Sequence, residues 1–149
     1  HLTNPSKVSI SKKVSSANIM QDVVRVDRMS KKIDVLHDML IKPEFTKVIV
    51  FIKTKWSLNE TEKELKNRGF RVASIHGNKT QSARQRSLTI FKENKSKILL
   101  ATDVAARGLD IDDISHVINY DQPATHDDYI HRIGRTGRGN KRGVALTFV

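Results

Sequence analysis

The stretch KVIVFI (47–52) decides the arrangement of this chain, because after Lys47 it is an unbroken apolar run rich in β-branched side chains. A strand with one solvated face alternates apolar and polar residues, whereas a run without alternation is typical of a strand buried on both faces. Strands of that kind belong to parallel sheets that are covered by helices on both sides. The run therefore predicts the centre of an α/β protein.

Outward from this run, strand-like and helix-like segments alternate at short spacing. The further strands predicted are QDVVRVD (21–27), 72–75, KILLA (97–101), HVINY (116–120) and 143–149. The helices predicted are 30–41 capped by Ser30, 57–68 with a capping box of Ser57 and Glu60, 80–94, and 125–133 with a capping box of Thr125 and Asp128. The alternation predicts a mostly parallel sheet with helices on both faces and functional loops at the carboxyl ends of its strands.

Length and composition limit the class of protein. The 149 residues suit one domain, and 38% hydrophobic with 29% charged residues indicates a globular chain. The lack of cysteine excludes a disulfide framework, a thiolate metal site and a cysteine nucleophile. No apolar run approaches the ~20 residues that cross a bilayer, and no signal peptide is visible. Residues 1–20 predict a linker or entry segment, and residues 21–149 the domain.

The charge of the chain indicates a polyanionic partner. Lys and Arg number 27 against 16 Asp and Glu, which gives +11, and nucleic acid is the default partner for such an excess. Residues 110–128 hold six acids and no Lys or Arg, whereas residues 132–142 hold five basic residues among glycines and no acid. Arginines among glycines favour phosphate binding, and a flexible basic loop or a merely basic surface is the alternative.

Three stretches carry residues suited to chemistry, namely ATDVAARGLD (101–110), HRIGRTGR (131–138), and Gln85-Arg86 on the helix after IHG (75–77). In this order they resemble motifs V, VI and IVa of the C-terminal RecA-like lobe of DEAD-box RNA helicases, in superfamily 2. VIVFIKTK (48–55) is similar to motif IV, and His131 favours the DEAD-box group, since other superfamily 2 helicases usually have Gln there. The resemblance covers about residues 20–149. LTNP (2–5) is similar to the end of the preceding lobe, and IHGNK (75–79) resembles most the bacterial RhlE-like branch.

The resemblance implies a RecA-like three-layer αβα sandwich with a mostly parallel central sheet, and a nucleotide site at its motifs. Arg135 and Arg138 match arginines that act as arginine fingers on the γ-phosphate of ATP bound mainly by the other lobe. The alternative is that one or both pair with the acidic block at 110–128. Gly108 and Asp110 match residues near the nucleotide sugar, although Asp110 could instead cap a turn. His131 and Arg132 match residues that link the nucleotide and RNA sites, and for His131 the alternative is an ordinary core histidine.

The resemblance also implies RNA contacts at the loops that follow three strands. The RNA-binding residues expected are Lys53, Thr54, Lys55, Gly77, Asn78, Arg84, Arg86, Thr102, Asp103 and Arg107. Contacts to the phosphates and 2′-hydroxyls would make binding sequence-independent and salt-sensitive. Aromatic residues are only 5% of the chain, and the loops hold none, so a stacking mode is disfavoured; Trp56 only adjoins one loop. For Lys53, Lys55 and Arg84, solvated surface charge is the alternative.

The sequence departs from a complete ATPase. It contains no GxxxxGK[ST] loop and no DEAD tetrapeptide, and His126 and His131 lack the one-face helical spacing of a metal pair. The resemblance therefore implies one lobe of a cytoplasmic two-lobe enzyme. The isolated lobe is expected to be monomeric and to hold no metal of its own. It would use ATP with Mg²⁺ held by an N-terminal lobe, bind RNA and be inactive alone. A non-catalytic RNA-binding module and a superfamily 2 DNA helicase or translocase lobe are the alternatives.

Overall fold

The computed structural model describes residues 18–138 and 142–149. Six strands form one sheet in the order β1-β6-β5-β2-β4-β3, and every adjacent pair is parallel. The strands are β1 (Ile19–Val24), β2 (Val48–Phe51), β3 (Val72–Ile75), β4 (Ile98–Ala101), β5 (His116–Asn119) and β6 (Gly143–Phe148). The helices are α1 (Lys32–Leu40), α2 (Lys55–Asn67), α3 (Gln81–Lys92), α4 (Asp103–Ala106) and α5 (His126–Ile133). Residues 1–17 of the linker predicted for 1–20, and the loop residues 139–141, lie outside the described part. Residues 19 and 20 of that predicted linker belong instead to β1.

Strand β2 lies at the centre of two apolar layers. Val48 and Val50 pack on one face of the sheet, where Leu36 of α1 and Leu58 of α2 join them. On the other face, Ile49 and Phe51 pack with side chains of α3 and α4, among them Leu88, Phe91 and Ala106. Full burial of each large apolar side chain contributes about 1.5–3 kcal/mol. The predicted three-layer αβα sandwich with a parallel sheet is confirmed, and the run 48–52 is buried on both faces.

Three helices begin at a threonine that caps them. The Oγ1 atoms of Thr54, Thr80 and Thr125 accept hydrogen bonds from the backbone N–H three residues further on, at 3.0–3.1 Å. Each such cap is worth about 1 kcal/mol. The predicted Thr125 cap of α5 is thus confirmed, and all three caps lie at the edge of the sheet where the strands end.

Two predicted caps are wrong. Helix α2 begins at Lys55, two residues before the predicted Ser57, because Ser57 donates its N–H to Thr54. Helix α1 has Lys31 at its N-cap position without a side-chain hydrogen bond, and Ser30 instead donates its N–H to Asp27.

The remaining bounds differ by a few residues. Strand β1 runs from Ile19 to Val24, so it begins two residues earlier and ends three earlier than predicted. Helix α4 is a single turn that the sequence pattern did not predict. Within the described residues, no helix is long and apolar enough to cross a membrane.

Candidate functional site

The residues selected from the sequence meet at the carboxyl edge of the sheet, as parallel strands require. Helix α4 follows β4, and α5 follows β5 through a loop, so the ATDVAARGLD and HRIGRTGR stretches face each other. Between them lies a pocket of about 190 Å³. Its lining residues are Phe51, Asp103, Ala106, Arg107, Gly108, Asp128, His131, Arg132 and Arg135.

Arg132 is the buried tie between the two stretches, with only 2% of its surface exposed. Its Nε and Nη2 atoms donate to the two carboxylate oxygens of Asp103, at 2.6 and 2.8 Å. Its Nη1 donates to the side-chain oxygen of Asn119 at 3.2 Å and to the carbonyl of Asp121 at 2.7 Å. The guanidinium also lies over the ring of Phe51. The bidentate pair fixes α4 against α5 and both against the end of β5.

The resemblance gave Arg132 a linking role, but neither its burial nor its pairing with Asp103 was predicted from the sequence. A charged side chain that is almost fully buried needs a partner, and the available signal was an acid directly after a buried strand, in Thr102-Asp103. Asp103 had been expected to contact RNA. In the structure both of its carboxylate oxygens accept from Arg132, so any contribution to RNA binding would come through the position of α4.

Arg135 lies just after α5, half-buried against the ATDVAARGLD stretch. Its Nη1 atom donates to the carbonyl oxygen of Leu109. Its Nε atom is buried and has no hydrogen-bond partner among the described residues. Burial lowers the pKa of the Arg135 guanidinium, and the like charge of Arg138 lowers it further, while Asp110 opposes both. A buried cation with an unused donor is suited to receiving an anionic ligand.

Arg138 forms an ion pair with Asp110, with 3.0 Å between Nη1 and Oδ1. The pairing with the acidic block that the sequence left open is therefore present for Arg138, whereas Arg135 contacts a backbone carbonyl. Both partners are exposed, Asp110 to 82% of its side chain, and such exposed pairs are worth about 0–1 kcal/mol. A phosphate could displace this pair at little cost. Gly108, two residues before Asp110, has a φ of +75°, which favours glycine.

His131 is exposed on α5 and lines both the pocket described above and a neighbouring one formed by 130–138 and Ile19. This exposure disfavours the alternative of an ordinary core histidine. The loop after α5 packs on the start of β1, since a Cβ at Gly137 would lie 2.5 Å from the Ile19 side chain. Glycine is needed there both for this close approach and for its φ of +69°.

The residues predicted to contact RNA follow β2, β3 and β4, which are neighbours in the sheet. Lys53, Lys55 and Arg107 are exposed, so their side chains are accessible at this edge. Gly77, Asn78 and Arg86 are also exposed, whereas Thr102 and Arg84 are partly buried.

Besides Asp103, two of the predicted residues use their side chains in a structural contact. Thr54 caps α2 through its hydroxyl, and Arg84 donates from Nη2 to the carbonyl of Ala105 at 2.9 Å, which ties α3 to α4. Neither contact tests binding of RNA. The structure thus brings the predicted residues to one edge of the sheet, and their contacts with RNA remain predictions.

Two lysines of this edge, Lys55 and Lys79, lower the pKa of the same neighbour, His76. Burial lowers the pKa of His76, and the positive charges of Lys79 and Lys55 lower it further, while Glu62 opposes them. Lys55 begins α2 and Lys79 lies in the loop after β3, so charges from two elements converge on one region. A second property of the edge is that, within residues 18–138 and 142–149, no cluster of three or more His, Cys, Asp or Glu side chains is placed to hold a metal ion.

A parallel sheet with helices on both faces, and motif arginines at a pocket on its carboxyl edge, define a RecA-like α/β domain of the helicase type. The chain belongs to the family described as the helicase conserved C-terminal domain, whose model matches residues 31–140.

Similar proteins give the same assignment. The chain is 47% identical over 149 residues to DEAD-box ATP-dependent RNA helicase 5 of Arabidopsis thaliana, covering 97% of this chain and 28% of that protein. It is 44% identical over 150 residues to ATP-dependent RNA helicase DeaD of Mycobacterium tuberculosis, covering 100% of this chain and 26% of that protein. The chain therefore spans little more than a quarter of the length of these curated relatives.

Solved structures agree on the fold. The E. coli DEAD-box protein SrmB, solved bound to the regulator of ribonuclease activity A, aligns with a TM-score of 0.83 at 36% identity, covering 90% of this chain and 78% of that chain. A DEAD-box protein from Methanococcus jannaschii aligns with a TM-score of 0.81 at 36% identity, covering 99% of this chain and 43% of that chain. The predicted family is confirmed, and the assignment to the RhlE-like branch stays a prediction.

Proposed function

We propose that this chain acts as the C-terminal lobe of an ATP-dependent RNA helicase, in which it supplies arginine fingers to ATP and half of an RNA groove. The observation that carries the proposal is the state of Arg135, a half-buried guanidinium at a pocket with its Nε atom unpartnered among the described residues. The relatives described above are named ATP-dependent RNA helicases, which supports the same function.

The donor set of the pocket fits the triphosphate of ATP. Arg135 and Arg138 provide planar, permanently charged forks that can bind phosphate oxygens in pairs. Arg138 is freed by breaking only an exposed ion pair with Asp110, whose carboxylate could then accept from a ribose hydroxyl near Gly108. His131, on α5, lines the same pocket as Arg135, and Arg138 lines the neighbouring pocket. ATP supplies the phosphoryl group, and the two arginines would neutralise the charge that develops as that group is transferred.

A complete site needs a second lobe. The chain has no GxxxxGK[ST] loop to cradle phosphates, and its described residues hold no cluster suited to Mg²⁺. We propose that an N-terminal RecA-like lobe supplies both, and that residues 1–149 alone hydrolyse ATP at a negligible rate. Robust RNA-stimulated hydrolysis by residues 1–149 alone would contradict this part of the proposal.

The RNA half of the proposal rests on the exposed cations at the ends of β2 and β4. Lys53, Lys55 and Arg107 would bind phosphates, so recognition would depend on the RNA backbone and fall with added salt. The buried pair of Arg132 and Asp103 fixes α4, beside the RNA-facing loops, to α5, which leads to Arg135. Movement of one site would thus be transmitted to the other as a rigid unit, which would couple ATP hydrolysis to local unwinding.

The decisive experiment is ATP hydrolysis by the two-lobe protein, with and without RNA, for the wild type, Arg135→Ala and Arg135→Lys. Loss of an arginine finger typically lowers the rate about 10³- to 10⁵-fold, and Lys, a point charge, should restore little of it. Arg71→Ala is the matched control, because Arg71 is exposed just before β3, at the opposite edge of the sheet. An unchanged RNA-stimulated rate in Arg135→Ala would show that the finger assignment is wrong.

A further inference from the structure

Trp56 is the single tryptophan of the chain, and 72% of its surface is exposed. It lies in the first turn of α2, whereas the buried residues of this helix are Leu58, Thr61 and Leu65. The core of the domain therefore makes little use of the indole. Tryptophan is usually well buried, so an indole left in solvent at the functional edge calls for a ligand that would cover it.

The surroundings of Trp56 select the chemistry of that ligand. Lys53 and Lys55 precede it by three residues and by one residue, and both are exposed. Lys79, in the loop after β3, adds positive charge that, like that of Lys55, reaches His76. Arg107 is exposed after β4, the strand next to β2. An aromatic plane among cations is the arrangement that binds single-stranded nucleic acid, in which bases stack on the ring while phosphates contact the cations.

We propose that Trp56 stacks on an unpaired base of the bound RNA, next to the phosphates held by Lys53 and Lys55. This inference rests on the proposed RNA-binding function and extends it, since it adds one base contact to a groove that otherwise contacts the backbone. It replaces the sequence-based expectation that a stacking mode is disfavoured, because the structure leaves the Trp56 ring exposed in the first turn of α2. Every base has a π-face, so the contact tolerates any sequence. It requires an unstacked base, and the site therefore prefers single-stranded RNA to a duplex.

The experiment uses the fact that fluorescence from tryptophan reports on Trp56 alone. The 149-residue chain is titrated at low salt with a uridine decanucleotide and with an abasic RNA backbone of the same length, and binding of both is followed independently by anisotropy of an end label. We expect the uridine oligonucleotide to quench Trp56 and the abasic backbone to bind without quenching. Affinity for the uridine oligonucleotide should fall about 5- to 150-fold in Trp56→Ala, from the range of about 1–3 kcal/mol for loss of one stacked base.

Two variants separate stacking from other effects. Trp56→Phe keeps a stacking ring and should retain affinity within about 3-fold, because aromatic rings substitute for one another at such sites. Ile41→Ala removes an apolar side chain that is 61% exposed directly after α1, at the opposite edge of the sheet, and should change nothing. Far-ultraviolet circular dichroism confirms that each variant folds.

The possible outcomes distinguish this inference from the function on which it rests. Salt-sensitive binding of the uridine oligonucleotide without quenching, and with unchanged affinity in Trp56→Ala, leaves the RNA-binding role in place and refutes the stacking contact, so that Trp56 would be assigned to a protein surface. No binding of either oligonucleotide at any salt concentration refutes both.

Discussion

The buried pair of Arg132 and Asp103 allows a quantitative test of how the domain is held together at its functional edge. Replacement of Asp103 by Ala removes two of the four hydrogen bonds of a guanidinium that is 2% exposed. The contacts with Asn119 and the carbonyl of Asp121 remain, so the cation keeps half of its partners but loses its counter-charge.

The expected cost follows from the burial of the two partners. Breaking a fully buried pair by removing one partner costs about 3–5 kcal/mol. The Asp103 side chain is 31% exposed, and water can reach part of the vacated site, so we expect about 2–4 kcal/mol for Asp103→Ala. With a urea dependence of about 2 kcal/mol per molar, a loss of 3 kcal/mol lowers the unfolding midpoint by about 1.5 M.

The assay is urea unfolding of the 149-residue chain, followed by circular dichroism. Arg132→Met and the double variant complete a cycle, and the double variant should lose clearly less than the sum of the single losses, with a coupling of about 1–3 kcal/mol. Lys95→Ala is the control, since its ion pair with Glu93 is 65% and 55% exposed and should contribute less than about 1 kcal/mol. A cost below about 1 kcal/mol for Asp103→Ala, with additive losses in the cycle, would refute the argument that this pair ties α4 to α5.

Three further predictions concern stability and are checked by the same unfolding assay. The buried ring of His116 stacks on Phe45, with 3.8 Å between the ring centroids. Burial lowers the pKa of His116, and the charge of Glu44 opposes this shift. The unfolded chain therefore binds more protons than the folded chain below about pH 6.5, so the free energy of unfolding should fall as the pH falls from 7 to 5. His116→Gln should flatten this slope, and an unchanged slope would assign it to other groups such as His76. Gly143→Ala should cost more than about 2 kcal/mol, because its Cβ would overlap Thr136 Oγ1 and the backbone nitrogen of Gly137. A wild-type unfolding midpoint would show that Thr136 and Gly137 can shift away at no cost. Thr125→Ala should cost about 1 kcal/mol by removing the cap of α5, and no loss at all would mean that water replaces the cap.

The sequence was sufficient for the layers of the fold because the decisive patterns are local. The run 48–52 predicted a strand buried on both faces, and the alternation of strands and helices predicted the parallel sheet that the structure shows. The Thr125 cap was found from its spacing to Asp128. At α2, two suitable residues lie three apart, Thr54 and Ser57, and the choice between them depends on how β2 ends, which spacing alone does not encode.

The site was predictable as a set of residues but not as a set of contacts. The motifs selected Arg135, Arg138 and Asp110, while the pairing of Arg138 with Asp110 depends on how two loops approach across the sheet edge. The burial of Arg132 on α5 likewise depends on contacts with three other elements, namely α4, β5 and β2. Motif spacing treats Arg132 and Arg135 alike, and only packing separates a structural arginine from one with an unused donor.

The position of β1 at the edge of the sheet has a consequence for how the chain reaches this fold. Strand β1 pairs only with β6 among the described strands, and the register joins Ile19 to Gly143 and Val24 to Phe148. Strand β1 can therefore pair only after β6 is available, and more than a hundred residues of chain separate the two strands. Strands β2, β3 and β4, in contrast, can associate through short connections. During synthesis the centre of the sheet should form first, and β1 should dock only after β6 has left the ribosome, since pairing over such distances is slow. Strand β1 should therefore be the last of the six described strands to join the sheet.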